Sequence, residues 1–319
     1  MPQTIDPRCF SGWITGNVYQ TGINQPSDQS GVTHYLVEDG MVIQQDNGLF
    51  TITNLGAILL AKKLSDFSRV ARKAIRIVQY EGPSRMNMLR ENTFNKGYAV
   101  GFENLMSVIE TLIPSKETIT SALRERSTAY PLLAIHEVVA NSLIHHDFSI
   151  SGVGPTIELF DNRIEIINPG TPLVDVQRII DNPPKSRNEK LASLMRRFRM
   201  CEELGTGWDI IVSSFEEFQL PAPRIELYEE NTKVTLYAHK LFSALTREDK
   251  LLACYLHACV LYVRGEYMTN VSLRKRLGLG DSSSGTSSRI IREAVEKGLI
   301  KPFDPNTAPR YMKYIPVWG

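Results

Sequence analysis

The chain has 319 residues and a net charge of +1 from 36 Lys or Arg against 35 Asp or Glu, so two or three domains with ample core are expected and the overall charge points to no partner. No apolar run approaches the roughly 18 residues of a membrane span, and no charged-then-apolar leader opens the chain, which argues against a span or a signal peptide. The four cysteines, Cys9, Cys201, Cys254 and Cys259, lack C-x-x-C spacing or a zinc-like arrangement with His and read as reduced thiols of a cytoplasmic protein.

Residues 1–32, rich in Gln, Asn, Gly, Ser and Pro, show little periodicity and read as an extended, flexible arm. Residues 48–64 predict a short strand, a cap at Thr53 or Asn54, and a buried helix. Residues 74–80 predict a strand. Apolar side chains at Phe102, Leu105, Met106, Ile109, Leu112 and Ile113 predict a helix over 101–113, stopped by Pro114.

Pro131 is placed to open the next helix. On it Glu137 and Asn141, four residues apart, share one face. A carboxylate and a carboxamide stacked one turn apart can share one Mg²⁺ and one water. Mg²⁺ takes hard oxygen ligands and keeps several waters, so one protein ligand plus phosphate oxygens suffices. Asn141 fits the metal ligand, and Glu137 fits the group that orients or deprotonates water. Alone, the pair reads more readily as a solvated polar face. Neither His145-His146, which lacks a third ligand, nor Ser142, which lacks an elbow turn, points to zinc or to a nucleophile.

Residues 156–167 alternate apolar and polar around Asp161-Asn162, predicting a hairpin with a two-residue turn. It ends in Asn168-Pro169-Gly170, a turn able to aim a side chain at a ligand. The stretch 171–203 carries Lys185, Arg187, Lys190, Arg196 and Arg197 among several prolines. By itself it reads as an ordinary surface helix with solvated charges. Gly205 and Gly207 flank Thr206 ahead of an apolar helix start. Such glycines let backbone N–H groups approach an anion, which the helix dipole favours, although a lone G-x-G also serves as a cap or tight turn. Trp208 and Trp318 read as packing residues. Residues 225–237 predict a second hairpin that completes the sheet.

The last quarter predicts helices over 247–263, 270–279 and 287–297, a polar turn over 281–286, and an extended 300–317, the order of a winged helix-turn-helix. Ser287, Arg289 and Arg292 would face a major groove, with Arg310 and Lys313 reaching the backbone from the wing. Residues 246–319 hold 12 Lys or Arg against 7 Asp or Glu, a modest basic bias. A protein-binding winged helix would carry such arginines too.

The set Glu137, Asn141, His145 and Asp147, then Asn168-Pro169-Gly170, Ser186-Arg187-Asn188 and Glu203-Leu204-Gly205-Thr206-Gly207 resembles the C-terminal ATPase-like domain found beside Schlafen-type modules in prokaryotic regulators. Those proteins are often labelled RecG-like helicases, and the domain is similar to the GHKL fold. The resemblance covers most of residues 48–318. It implies ATP and Mg²⁺ as cofactors, with Glu137 as base and Asn141 as metal ligand, and it implies that the basic stretch 171–203 is a lid able to close on a triphosphate by charge-assisted hydrogen bonds. Asn141, His145, Asn168, Gly170, Arg187, Gly205, Thr206 and Gly207 would surround the nucleotide. Two departures stand out. Asn168 sits where GHKL enzymes use an aspartate to accept from the adenine amino group, a role a neutral amide oxygen can still fill. His146 sits where the family usually has arginine, so a positive charge is lost or made pH-dependent. The upstream Schlafen-type module is missing, which suggests a shortened member or a fragment of a longer reading frame.

The implied fold class is α+β, a GHKL-like α/β sandwich plus a C-terminal winged helix-turn-helix. The expected units are the arm over 1–32, an α/β subdomain over 33–130, a nucleotide-binding domain over 131–243 and the winged helix over 244–319. The function so implied is an ATP-binding, DNA-binding transcriptional regulator whose nucleotide occupancy modulates the winged helix. The alternatives are a GHKL-like ATPase driving a conformational cycle, or a nucleotide-free DNA- or protein-interaction module on a vestigial ATPase fold. Weak Mg²⁺-dependent ATPase activity stays open. Helicase activity is not expected, because no G-x-x-x-x-G-K-[ST] loop occurs. Double-stranded DNA is the expected partner, a homodimer stays open, and no membrane contact is expected.

Overall fold

The structure is a computed structural model that describes Thr4–Ile5 and residues 29–119, 124–183, 185–201 and 207–319. Most of the expected arm therefore lies outside the described residues. Its described parts are not arm-like, because β1 (Thr4–Ile5) joins a sheet and α1 (Gln29–Glu38) is helical. β2 (Val42–Gln44) and β3 (Phe50–Ile52) complete that small antiparallel sheet in the order β1-β3-β2. Thr53 then caps α2 (Asn54–Leu60) by accepting from the Gly56 N–H at 3.1 Å, as the sequence signals.

β4 (Ile75–Tyr80), β5 (Met88–Phe94) and α3 (Tyr98–Leu112) follow. β6 (Ser115–Ile119) and β7 (Arg124–Thr128) pair only with each other among the described strands. Next come α4 (Leu132–Ile144), β8 (Thr156–Phe160), β9 (Arg163–Pro169), α5 (Glu189–Arg197) and α6 (Gly207–Glu217). β10 (Arg224–Tyr228) and β11 (Asn231–Tyr237) form the second predicted hairpin. The main sheet has six strands in the order β10-β11-β9-β8-β4-β5, antiparallel except where β4 meets β8. Strands from 33–130 and from 131–243 thus share one mixed sheet within the α+β fold.

Alternation assigns the two faces of that sheet. Ile77, Ile157, Leu159, Ile164, Ile166, Val234 and Leu236 point inward and are buried with α4 and α6, which pack on each other. The outer face sets Glu158 directly across from Glu165. Two like charges opposed across strands repel. Arg85 resolves this by donating to Glu158 at 2.8 Å and to Glu165 at 2.7 Å, and Arg163 adds a 2.6 Å bond to Glu165 while lying 3.7 Å over the Phe160 ring.

The C-terminal part consists of α7 (Arg247–Val263), α8 (Asn270–Arg276), α9 (Ser284–Glu296) and a hairpin of β12 (Ile300–Pro302) with β13 (Tyr314–Pro316). Capping boxes at Thr246 and Thr269 start the first two helices. Their apolar faces form a second core with Val212, Ala222 and Ile300, and Trp208 packs against both cores. Among the described residues no helix is long and apolar enough to cross a membrane.

Candidate functional site

A cavity of about 650 Å³ opens between α4, the sheet, α5 and the N-terminal end of α6. Glu137 and Asn141 line it from α4. The Asn141 Nδ2 donates to Glu137 Oε1 at 3.2 Å, and among the described residues its Oδ1 has no donor. Glu137 is only 5% exposed. It lies so close to the start of α6 that a Cβ on Gly207 would come 2.3 Å from its Oε1, so glycine at 207 lets helix and carboxylate meet.

Asn168 and Gly170 form the opposite wall. Gly170 sits at φ +113, where a Cβ would press on Asp147 and on the His145 carbonyl at 3.0–3.2 Å. This explains the glycine of the N-P-G turn. The Asp147 N–H donates to Pro169 O at 2.8 Å, tying the end of α4 to that turn. Asn168 is 6% exposed. Its Nδ2 reaches only the Pro169 carbonyl, at 3.4 Å, and no donor among the described residues reaches its Oδ1. The side chain faces Thr232 across the β9–β11 pair, and both line the cavity.

His145 also lines the cavity, and burial, aided by Arg187, lowers its pKa. Its neighbour His146 is fully buried, 3.4 Å from the Lys73 Nζ and stacked on Phe148. Burial and the Lys73 ammonium lower its pKa from 6.5 to about 3, against the opposing pull of Asp147. Of the two outcomes expected at 146, a lost charge or a pH-dependent one, the charge is lost near neutrality, and the Lys73 Nζ lies beside that position. Below 6.5 the unfolded chain takes up a proton that native His146 refuses until about pH 3. Stability should consequently fall as pH drops through that window, by up to about 1.4 kcal/mol per unit from this residue. Urea unfolding at several pH values checks this, and His146→Gln, which keeps an acceptor for Lys73, should flatten the slope.

Arg187 departs from expectation. Its guanidinium donates to Asp147 at 3.0 Å and to Thr171 O at 2.8 Å and does not line the cavity. It fixes the start of the 171–183 segment. Asn188 donates to the Ile144 and His146 carbonyls at 2.7 and 2.8 Å, which caps the end of α4. Of the basic stretch, Lys185 and Arg196 do line the cavity, whereas Arg197 pairs with Asp39. Gly205 and Thr206, with Glu203 and Leu204, lie outside the described residues. Trp208, read from sequence as packing only, also lines the cavity. Among the described residues no three His, Cys, Asp or Glu side chains converge on a common metal position.

At the C-terminal part, Arg289, Arg292, Arg310 and Lys313 are exposed, and none is in an ion pair with a described residue. Ser287 is fully buried. The reason is register: α9 begins at Ser284, three residues before the expected start, which turns position 287 toward the core. Position 287 therefore faces the core and not the exposed side of α9 that carries Arg289 and Arg292.

Residues 152–236 match the family model described as "Putative ATP-dependent DNA helicase recG C-terminal". No curated protein matches the chain. Among solved structures it resembles the DIP2311 protein from Corynebacterium diphtheriae with a TM-score of 0.59 and 16% identity, over 99% of this chain and 63% of that one. At that identity the likeness concerns the fold, and the chain spans less than two thirds of that protein's length. The region around the cavity is similar to an ATPase-like domain of the recG C-terminal type.

Proposed function

We propose that the cavity binds ATP with Mg²⁺ and that the chain is a regulator in which nucleotide occupancy modulates a C-terminal winged helix bound to double-stranded DNA. The observation that carries the nucleotide half is the pairing of Glu137 and Asn141 on one side with Asn168, whose amide bonds only the Pro169 carbonyl among the described residues, on the other, across a cavity of nucleotide size. The family similarity over 152–236 supports it.

The donor set fits one Mg²⁺. Asn141 offers an amide oxygen that no described residue engages, and an ion that keeps most of its water needs little more from protein when phosphates supply the rest. Bound there, Mg²⁺ would neutralise phosphate charge. Asn168 Oδ1 would accept from an exocyclic amino group, and the Nδ2 of the same amide remains available as a donor. Lys185 and Arg196 would face the phosphates, and the α6 N-terminus adds a favourable dipole. Titration of ATP with and without Mg²⁺ into the intact protein tests the site.

The adjacency of Glu137 to Asn141 favours a second reading, slow ATP hydrolysis with Glu137 as base. Turnover lost in Glu137→Gln would support it, and binding without turnover would leave a sensor.

The DNA half rests on the order α7, α8, α9 and hairpin, with Arg289 and Arg292 exposed on the third helix. The double change Arg289→Ala/Arg292→Ala is expected to weaken duplex binding by about tenfold or more, with binding that falls steeply with salt. Binding that ignores both the substitution and the salt would remove DNA as the partner.

A further inference from the structure

The segment 171–183 borders the cavity through Leu173, Val174, Ile179 and Asn182, and it is held at two points. Arg187 fixes its start at Thr171, as described above. Its middle is fixed by the C-terminal part. Asp175 caps a short 3-10 turn by accepting from the Gln177 N–H at 2.9 Å, and the Gln177 carbonyl at that turn accepts from the Tyr255 hydroxyl on α7. Tyr255 in turn accepts from the Trp318 indole N–H at 3.0 Å. Arg178 lies 5.3 Å over the Trp318 ring, and Ile180 packs into the C-terminal core. Burial keeps the Tyr255 phenol protonated, so it remains a donor throughout the working pH range.

A second grip acts on α6, whose first residue abuts Glu137. Near its other end Glu216 bonds His257 of α7 at 2.9 Å and pairs with the buried Arg276 of α8 at 3.3 Å, and Arg276 also donates to Leu220 O at 2.9 Å. Two of the elements that border the cavity are thus anchored on the same C-terminal helices.

We propose that 171–183 is a strap over the cavity whose position is set by the C-terminal part through Tyr255 and Trp318, so that occupancy of the cavity and the state of the C-terminal part are linked. The link rests on the nucleotide reading for its ligand, while the mechanical tie stands apart from it. Linkage is reciprocal, so a nucleotide that closes the strap must also steady α7. Tyr255 and Trp318 are positioning residues, since neither lines the cavity.

Hydrogen exchange of the intact protein and of Tyr255→Phe, with Trp318→Phe as a second variant, tests both parts. Losing one hydrogen bond should speed exchange at 174–182 by about tenfold while amides of β8 and β9 stay unchanged. Calorimetry on the same proteins should show ATP with Mg²⁺ bound several-fold more weakly by the variants, and added nucleotide should slow exchange both at 174–182 and around 255 in the unaltered protein. Exchange at 174–182 that matches the unaltered protein in both variants overturns the strap. Faster exchange with unchanged nucleotide affinity overturns the linkage. If the unaltered protein binds no nucleotide, the functional reading fails, and the ligand-free exchange arm still decides the mechanical tie.

Discussion

Replacing Asn141 by alanine is expected to lower affinity for ATP with Mg²⁺ by about 100-fold, the upper end of what losing a metal-supporting group does. Among the described residues the side chain makes one hydrogen bond, to Glu137. Its remaining oxygen is the hard donor facing the cavity, and alanine offers none. Folding should be little affected, because the residue is only half-buried, and such changes outside a core typically stay within about 0.5 kcal/mol. The control is ATP in chelator, where the protein and its variant should bind alike. Equal affinity in the presence of Mg²⁺ would take Asn141 out of the metal shell. No binding by either protein would leave a DNA-binding reading on a scaffold that has retired its nucleotide.

A large loss of stability is expected from Gly97→Ala. Gly97 precedes α3 at the point where it crosses the end of α2, and its N–H donates to Ala61 O at 2.7 Å. A Cβ there would lie 2.5 Å from Leu59 O, 2.6 Å from Leu59 C and 2.7 Å from Ala61 N. All three are backbone atoms beneath fully buried side chains, so no rotamer change relieves the clash. The helices must separate, and the change should remove about 3 kcal/mol or more, measured as a lower urea midpoint at unchanged slope. A midpoint within 0.5 M of the unaltered protein would mean that this crossing yields more easily than a packed core should.

Local signals carried much of the fold. The alternation on both sides of Asp161-Asn162 located β8 and β9 almost to the residue, Thr53 announced α2, and the apolar spacing over 247–263 matched α7. What sequence could not supply was pairing between distant strands. β5 has exposed residues on both faces and shows no period, so it was not anticipated, and nothing local says that β4 joins β8 in parallel. The site followed the same division. Glu137 and Asn141 share a helix and were legible from spacing. Thr232 is brought beside Asn168 only by the β9–β11 register, and Trp208 reads as core because a residue can touch two cores and a cavity at once. Ser287 was misplaced because serine and glycine at 284–286 look like a turn, whereas α9 runs through them.

The parallel meeting of β4 and β8 also bears on how this protein can be inherited in pieces. The stretch 152–236, the part recognisable by sequence as one module, holds Asn168 and Gly207 but not α4, so it carries one wall of the cavity and not the other. Cut out, it would expose the bare edge of β8 where β4 belongs. Recombination at those borders would split both the sheet and the cleft. The smallest heritable unit with a whole cavity therefore starts no later than β4 and extends through β11.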